Sequence, residues 1–218
     1  MSRSSGLTVL LIAALALSAA FGACGEDNAG TNAPSPSSQT APGNGVDRAF
    51  AVAMAPHHRS AVEMAEVAKE RSARGEIQRL ANEIVRTQNA EIEILAALDR
   101  RLSEAGVEAG ELGVADHQMG MDGDAAMLDG AKPFDREFID MMIPHHQGAI
   151  RMARAELANG QNPELKELAE AIVDAQAKEI DQMNTWRIEW FGAMSPAGGV
   201  PADEGAPAED DHGAGHGM

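Results

Sequence analysis

Tyrosine is absent from the 218-residue sequence, which also has only two tryptophans, five phenylalanines and one cysteine. A single cysteine excludes an internal disulfide, so stability must come from a packed core or from a bound ligand. The scarcity of aromatic residues leaves a core of Leu, Ile, Val, Ala and Met, which suits close packing of helices. Sustained alternation of apolar and polar residues is also missing, so strands are not expected.

Positive charge is scarce as well. The 17 Lys and Arg residues stand against 34 Asp and Glu residues, which gives a formal net charge of -17. This balance excludes nucleic acid as an expected partner and favours cations. Solubility alone would also explain most of these charges, above all the acidic run at residues 209–211.

The first residues have the pattern of an export signal. Arg3 precedes an apolar run over residues 7–20, and small residues then lead to Cys24. The run is too short for a comfortable membrane span, and a lone cysteine suits lipid attachment better than a disulfide. By its resemblance to bacterial lipoproteins, the pattern predicts a signal peptide over residues 1–23, lipidation of Cys24 and anchoring on the extracytoplasmic face of a membrane. An ordinary signal peptide with an incidental cysteine is the alternative.

Two stretches contain too few large apolar residues to form a core. Residues 24–45 and 195–218 are rich in Gly, Ala, Pro and small polar residues. Such segments cannot bury enough surface to offset the entropy of ordering them. We therefore expect a disordered linker after Cys24, a disordered tail, and a folded region over residues 46–194.

The folded region contains an internal repeat. Met142 follows Met54 by 88 residues (142 minus 54), and Glu179 follows Glu91 by the same offset (179 minus 91). Within each copy, apolar residues recur three to four apart in two successive stretches, which predicts a helical hairpin. Two hairpins that cannot bury their apolar stripes alone should pack about a pseudo-two-fold axis as an all-α, ferritin-like four-helix bundle. The two units and the flexible connector between them are expected at residues 47–102, 135–191 and 106–133.

The first helix of each unit carries two further signals. Asp47 and Asp135 stand where each helix should start, and we expect them to act as N-caps. Pro56 and Pro144 lie inside the same predicted helices, where proline either kinks a helix or marks its true beginning. A helix that begins at Pro56 is the alternative.

Histidine and methionine coincide on these first helices. At the helical period Met54, His57 and His58 share one broad face, and Met64 continues it. The second copy repeats the pattern with Met142, His145, His146 and Met152. Thioether and imidazole together favour Cu(I), and imidazole also binds Cu(II). A core histidine is more often hydrogen-bonded than a ligand, and methionine is more often packing, but here the two types coincide in duplicate, so we expect metal binding.

The second helices carry polar residues within their apolar arcs, namely Gln88, Glu91, Gln176 and Glu179. Buried polar groups need partners. These residues are candidates for second-shell groups that accept the other N–H of a ligating imidazole, and the glutamates are alternative direct ligands. The other interpretation places all four at the edge of the arc, in contact with solvent.

Soft donors also occur outside the predicted helices. His117, Met119 and Met121 lie in the connector, and His212, His216 and Met218 lie in the tail. A mobile His/Met segment can bind Cu(I) or Ag(I) without a preformed cage, so these six residues are secondary metal candidates.

Two motifs together resemble one family. Phe-x-x-x-Met-x-Pro-His-His-x-x-Ala-x-x-Met-Ala occurs at residues 50–65 and 138–153, and Gln-x-x-Glu-Ile follows at 88–92 and 176–180. Over residues 47–191 the chain resembles the exported domain-of-unknown-function family 305, which is ferritin-like and includes periplasmic copper-binding proteins of the CopM type. The resemblance implies copper or silver sequestration, with the ligand candidates Met54, His57, His58, Met64, Met142, His145, His146 and Met152.

Three classes of function can be compared with the sequence. The favoured one is an exported lipoprotein that binds copper without catalysis, since no substrate pocket or acid–base set is visible. A di-iron oxidase would need Glu-x-x-His pairs on the core helices, but that spacing occurs only from Glu209 to His212 in the tail. A non-metal structural or stress-sensing bundle, with histidines that titrate near neutral pH, is the alternative. The sequence does not identify a protein partner.

Overall fold

Four long α-helices follow one another in the computed structural model, which describes residues 43–123 and 125–202. They are α1 (Gly45–Arg71), α2 (Gly75–Glu104), α3 (Phe134–Asn159) and α4 (Pro163–Phe191), with short 3-10 turns at Asp116–Gln118 and Ala125–Leu128 in the connector. The described residues contain no strand. Helix α1 packs on α2, α3 packs on α4, and α1 packs on α3. The predicted all-α four-helix bundle is therefore confirmed.

Several expectations fall on other parts of the chain. The predicted signal peptide, Cys24, most of the linker and residues 203–218 lie outside the described residues. None of the helices within the described ranges combines the length and the apolar character that a membrane span needs. Residues 195–202, the described part of the expected tail, lie against α3 and α4. There the Gln147 amide donates to the carbonyl oxygens of Ala197 and Gly199.

The helix starts differ from the prediction. Asn44 is the N-cap of α1 and accepts the N–H groups of Val46 and Asp47, while Pro133 occupies the N-cap position of α3. The expectation that Asp47 and Asp135 are the N-caps is wrong. Asp47 lies three residues into α1 instead, and its carboxylate accepts the backbone N–H of Asn44 in a capping box.

Both aspartates tie the two hairpins together. Asp47 Oδ1 accepts the backbone N–H groups of Gln161 and Asn162, at 2.9 and 2.7 Å, in the turn between α3 and α4. Asp135 accepts the Ser72 hydroxyl at 2.6 Å and pairs with Arg74 at 3.3 Å, in the turn between α1 and α2. Each first helix thus starts against the turn of the other hairpin. Because the start of each first helix lies beside the end of the other, α1 and α3 are antiparallel.

The prolines do not end the helices. Pro56 lies inside α1 and Pro144 lies inside α3, so the interpretation that the first helix begins at Pro56 is wrong. Each proline removes one helical hydrogen bond. The segment before Pro56 stays helical because it buries Phe50, which is 0% exposed, in the core.

The apolar core consists of two clusters, one toward each end of the α1/α3 pair. The first contains Phe50 and Met54 of α1 together with Met152 of α3. The second contains Phe138 and Met142 of α3 together with Met64 of α1. Every cluster therefore combines residues from both units, which explains why one hairpin alone would leave its apolar face exposed.

Glu156 is an exception to the symmetry. It is fully buried on α3, whereas the equivalent position of the first unit (156 minus 88) is Ala68. Burial raises the pKa of Glu156 to about 8, and the neighbouring Asp47 carboxyl adds to the shift. The folded protein therefore carries a protonated carboxyl group at neutral pH.

Replacing Glu156 by Gln should reduce the pH dependence of stability. The folded state holds this proton up to about pH 8, whereas the unfolded chain releases it near 4.5. Between these values the folded state binds more protons, so the free energy of unfolding falls as pH rises, by at most about 1.4 kcal/mol per pH unit. Urea unfolding between about pH 7 and about pH 8, where most histidine side chains of the unfolded chain have lost their proton, should show this decline in the wild type and a flatter profile in Glu156→Gln.

Glu170 offers the matched control, since it lies exposed on α4. Glu170→Gln should keep the wild-type decline because it leaves the buried Glu156 carboxyl group unchanged. Equal slopes for Glu156→Gln and the wild type would contradict the assignment.

Candidate metal centre

Four imidazoles meet where α1 packs on α3. His57 and His58 come from α1 and His145 and His146 come from α3, and each is at most 2% exposed. The rings of His57 and His145 are in contact, with centroids 3.8 Å apart, and those of His57 and His58 lie 6.3 Å apart. The structure thus brings together the two histidine pairs that the sequence separates by 88 residues (145 minus 57).

Two of the rings make a hydrogen bond at Nε2, and a third approaches a carboxylate without making one. His146 Nε2 donates to Glu179 Oε2 at 2.7 Å, and His57 Nε2 donates to the Met119 carbonyl oxygen at 2.9 Å. His58 Nε2 lies 2.8 Å from Glu91 Oε2, although this contact is less well aligned. Carboxylate and carbonyl oxygens only accept hydrogen bonds. For His57, whose ring is neutral, the proton therefore sits on Nε2, which leaves the lone pair on Nδ1.

The Nδ1 atoms are buried and unsatisfied. None of the four Nδ1 atoms has a hydrogen-bond partner among residues 43–123 and 125–202, and the same holds for Nε2 of His58 and of His145. A buried polar atom left in this state costs roughly 1–3 kcal/mol. These nitrogens are the donor type that soft and borderline metal ions bind, so the side chains present fit such an ion.

The electrostatics keep the central rings neutral. The pKa of His57 is lowered to about 3, chiefly by burial and next by the nearby His58. The hydrogen bond to the Met119 carbonyl opposes this shift. Burial also lowers the pKa of His145 well below its ordinary value, and His57 is the next cause. Both rings are therefore unprotonated at neutral pH, which is the form that coordinates metal ions.

Buried thioethers flank the imidazoles along both helices. Met54, Met64, Met142 and Met152 are each at most 1% exposed. Met54 and Met152 lie in one core cluster, and Met64 and Met142 lie in the other. Along each helix the histidine pair falls between its two methionines, so sulfur from both units is available on either side of the nitrogen donors.

The second helices supply the polar groups that were predicted to face this layer. Glu91 and Glu179 contact His58 and His146, with side chains 18% and 15% exposed. Gln88 and Gln176 are each 3% exposed. The glutamates therefore lie where outer-shell groups that orient imidazoles would lie, and their action on a metal ion stays a prediction.

The connector crosses directly over the histidines. Gly120, at φ +70°, lies against the backbone of Pro144, and a Cβ atom at Gly148 would lie 1.8 Å from the Met119 carbonyl oxygen. This contact was not predicted from the sequence. The one indication of it was that Gly148 stands where the first copy has Ser60, since a glycine lets another backbone approach closely. Of the secondary candidates, Met119 is half-buried and His117 and Met121 are exposed, while those in the tail, His212, His216 and Met218, lie outside the described residues.

The nitrogen donors do not form a finished cage. In the part of the chain that the structure describes, no three His, Cys, Asp or Glu side chains are grouped as a metal-binding set.

Fold and site together define a class of protein, the duplicated four-helix bundle with a buried imidazole–thioether layer between its two first helices. The family described as "Domain of unknown function (DUF305)" matches residues 47–187. The chain belongs to the DUF305 family, which the motifs around the two histidine pairs had indicated.

Several solved structures are similar to the chain. CopM in its Cu(I)-bound form is 36% identical, with a TM-score of 0.58 over 67% of this chain and 98% of CopM. CopM has also been solved in Cu(II)-bound and Ag-bound forms. A DUF305 fragment from Deinococcus radiodurans is 30% identical, with a TM-score of 0.56 over 66% of this chain and 97% of the fragment.

One viral relative matches a shorter stretch. An uncharacterised protein of Acanthamoeba polyphaga mimivirus is 37% identical over 51 residues, which are 23% of this chain and 34% of the relative. The match spans about a third of that protein's length.

Replacing Gly148 by Ala should displace the connector from the histidine layer. The new Cβ atom would overlap the Met119 carbonyl, which is 1.8 Å away and belongs to backbone. Overpacking costs about 1–3 kcal/mol, whereas Gly-to-Ala in a helix otherwise gains up to about 1 kcal/mol. We expect a net loss of unfolding free energy, measured in urea, and a change in the His57 ring signals by NMR as its bond to Met119 is broken.

Ser60 is the matched control because it holds the equivalent position (148 minus 88) on α1. Ser60→Ala should change the unfolding free energy by less than about 0.5 kcal/mol, since it removes one hydroxyl and adds no atom. A stabilised Gly148→Ala protein with unchanged His57 signals would show that the connector does not lie here.

Proposed function

We propose that the chain binds Cu(I) at the layer where α1 packs on α3, through the imidazoles of both histidine pairs and the flanking methionine thioethers. The observation that carries this proposal is the set of four buried imidazoles whose Nδ1 atoms lack any hydrogen-bond partner in the described residues. A metal ion is the partner that would satisfy these nitrogens without a further hydrogen-bond donor.

The donor types favour a soft ion. Thioether sulfur and neutral imidazole nitrogen are preferred by Cu(I) and Ag(I), and imidazole also accepts Cu(II). The candidate ligands are Met54, His57, His58, Met64, Met142, His145, His146 and Met152. The similarity to CopM, which has been solved in Cu(I)-, Cu(II)- and Ag-bound forms, supports the same group of ions for this chain.

The surrounding groups would prepare the rings for binding. Glu91 and Glu179 hold the Nε2 side of His58 and His146, and the Met119 carbonyl holds that of His57. Each contact leaves the Nδ1 atom of its ring on the side away from the oxygen atom. Such outer partners typically change metal affinity by about 10- to 100-fold when removed.

The biological role that follows is sequestration or buffering of copper without catalysis. A buried layer of soft donors suits retention of an ion rather than turnover. The export pattern before Cys24 supports a location on the extracytoplasmic face of a membrane, with a lipid anchor. Metal ions are then its partners, and nucleic acid is not.

Substitution of the thioethers tests the proposal. Met54→Leu combined with Met142→Leu keeps the packing volume and removes two sulfur donors. All proteins would carry Cys24→Ala so that no thiol competes. In an anaerobic Cu(I) titration against a competing chelator, we expect the affinity of the double variant to fall by at least about tenfold, which corresponds to about 1.4 kcal/mol.

Two controls accompany that titration. Ile143→Leu changes a buried apolar neighbour of Met142 without touching a donor and should keep the wild-type affinity. A chain that ends at Ala202 lacks His212, His216 and Met218 but keeps the described residues that pack on α3 and α4. It should also bind Cu(I) as the full chain does.

Other outcomes would reject the proposal. Binding that disappears with residues 203–218 would move the site to the tail. Unchanged binding after His57, His58, His145 and His146 are all replaced by Ala would exclude the layer as a ligand set. A full chain that does not bind Cu(I), but whose melting shifts with pH, would favour the structural or stress-sensing alternative.

A further inference from the structure

A second group of donors lies where α2 faces α4, and it has a different chemistry. Gln88 and Glu91 of α2 and Gln176 and Glu179 of α4 line a cavity of about 80 Å³. Gln176 and Glu179 are the repeat equivalents of Gln88 and Glu91 (176 minus 88, 179 minus 91). The two units therefore contribute the same pair of residues to the cavity. Its remaining lining includes the exposed Glu83, which provides a route to solvent.

The amide oxygens inside this cavity are unsatisfied. Gln88 and Gln176 are each 3% exposed, and within the described ranges neither Oε1 atom accepts a hydrogen bond. Buried amide oxygens are almost always paired with a donor or an ordered ligand. Both symmetric oxygens are therefore free to accept a donor or to bind a cation.

The two carboxylates are also incompletely neutralised. Glu91 and Glu179 each place Oε2 on a histidine, which leaves the second oxygen of each carboxylate for another partner. Among residues 43–123 and 125–202, no Lys or Arg side chain pairs with either of them. Two mostly buried carboxylates and two unpaired amide oxygens therefore border the same small space.

We propose that this cavity is an oxygen-donor site for a hard divalent cation such as Ca²⁺ or Mn²⁺, distinct from the imidazole–thioether layer. Carboxylate and amide oxygens are the ligands that hard cations prefer, and no sulfur atom lines the cavity. The volume holds an ion with one or two waters, at about 30 Å³ for each water. Soft Cu(I) is not expected to bind there.

An acidic approach leads to the site. A larger cleft of about 300 Å³ continues along the same face, and it shares Glu83 and Glu179 with the cavity and adds Glu76. Arg79 is the one basic residue in its lining. The cleft thus presents a negative surface that would raise the local concentration of divalent cations.

The test uses Mn²⁺ as the probe on the metal-free full chain, so it does not depend on copper binding. Paramagnetic broadening of backbone amide signals should saturate and should be strongest for residues 83–91 and 172–179. Gln88→Leu with Gln176→Leu keeps the side-chain size and removes both amide oxygens. We expect its apparent Mn²⁺ affinity to fall by at least about tenfold.

Asn89→Ala serves as the control, because Asn89 is an exposed amide next to Gln88 and does not line the cavity. It should keep the wild-type affinity. If the double variant loses its helical circular dichroism spectrum, the single Gln88→Leu and Gln176→Leu variants take its place. Broadening that is unchanged in the leucine variants, that centres on the acidic run at residues 209–211, or that never saturates would overturn the proposal.

Discussion

The packing of α1 on α3 buries four imidazoles at once, and the rest of the molecule follows from how these rings are accommodated. Unpaired buried nitrogens cost roughly 1–3 kcal/mol each, so the interface is stabilised elsewhere. The apolar clusters on either side and the exchanged contacts of Asp47 and Asp135 supply that stabilisation. The fold therefore holds together a polar layer that would not assemble by itself.

The two units share one helical arrangement because the sequence is duplicated. Differences between the two copies nevertheless give their histidines different environments. The Met119 carbonyl bonds to His57, whereas both nitrogens of His145 lack a partner in the described part of the chain. Gly148 allows this difference because the equivalent residue, Ser60, carries a Cβ atom that would block a backbone so close.

Periodicity was sufficient to predict four helices and the shared face of Met54, His57 and His58, because both depend on residues three to four apart. It placed Glu91 within the apolar arc of α2 but did not decide between contact with a histidine and contact with solvent, which the structure decides through His58. The helix starts were missed because Asn44 and Pro133 take the N-cap positions, while Asp47 bonds to a turn more than a hundred residues away. The contact of Met119 with α3 was missed for the same reason, since local pattern carries little information on contacts between distant segments.

The central claim is that nitrogen and sulfur from the α1/α3 layer bind copper together. X-ray absorption at the copper edge of the Cu(I)-loaded chain, with Cys24→Ala and ending at Ala202, measures the ligand atoms directly. Since this protein contains no cysteine, sulfur in the first shell can come only from methionine. We expect the ligands of Cu(I) to be a mixture of imidazole nitrogen and thioether sulfur. A shell of oxygen and nitrogen without sulfur, unchanged when Met54 and Met142 are replaced by Leu, would contradict it.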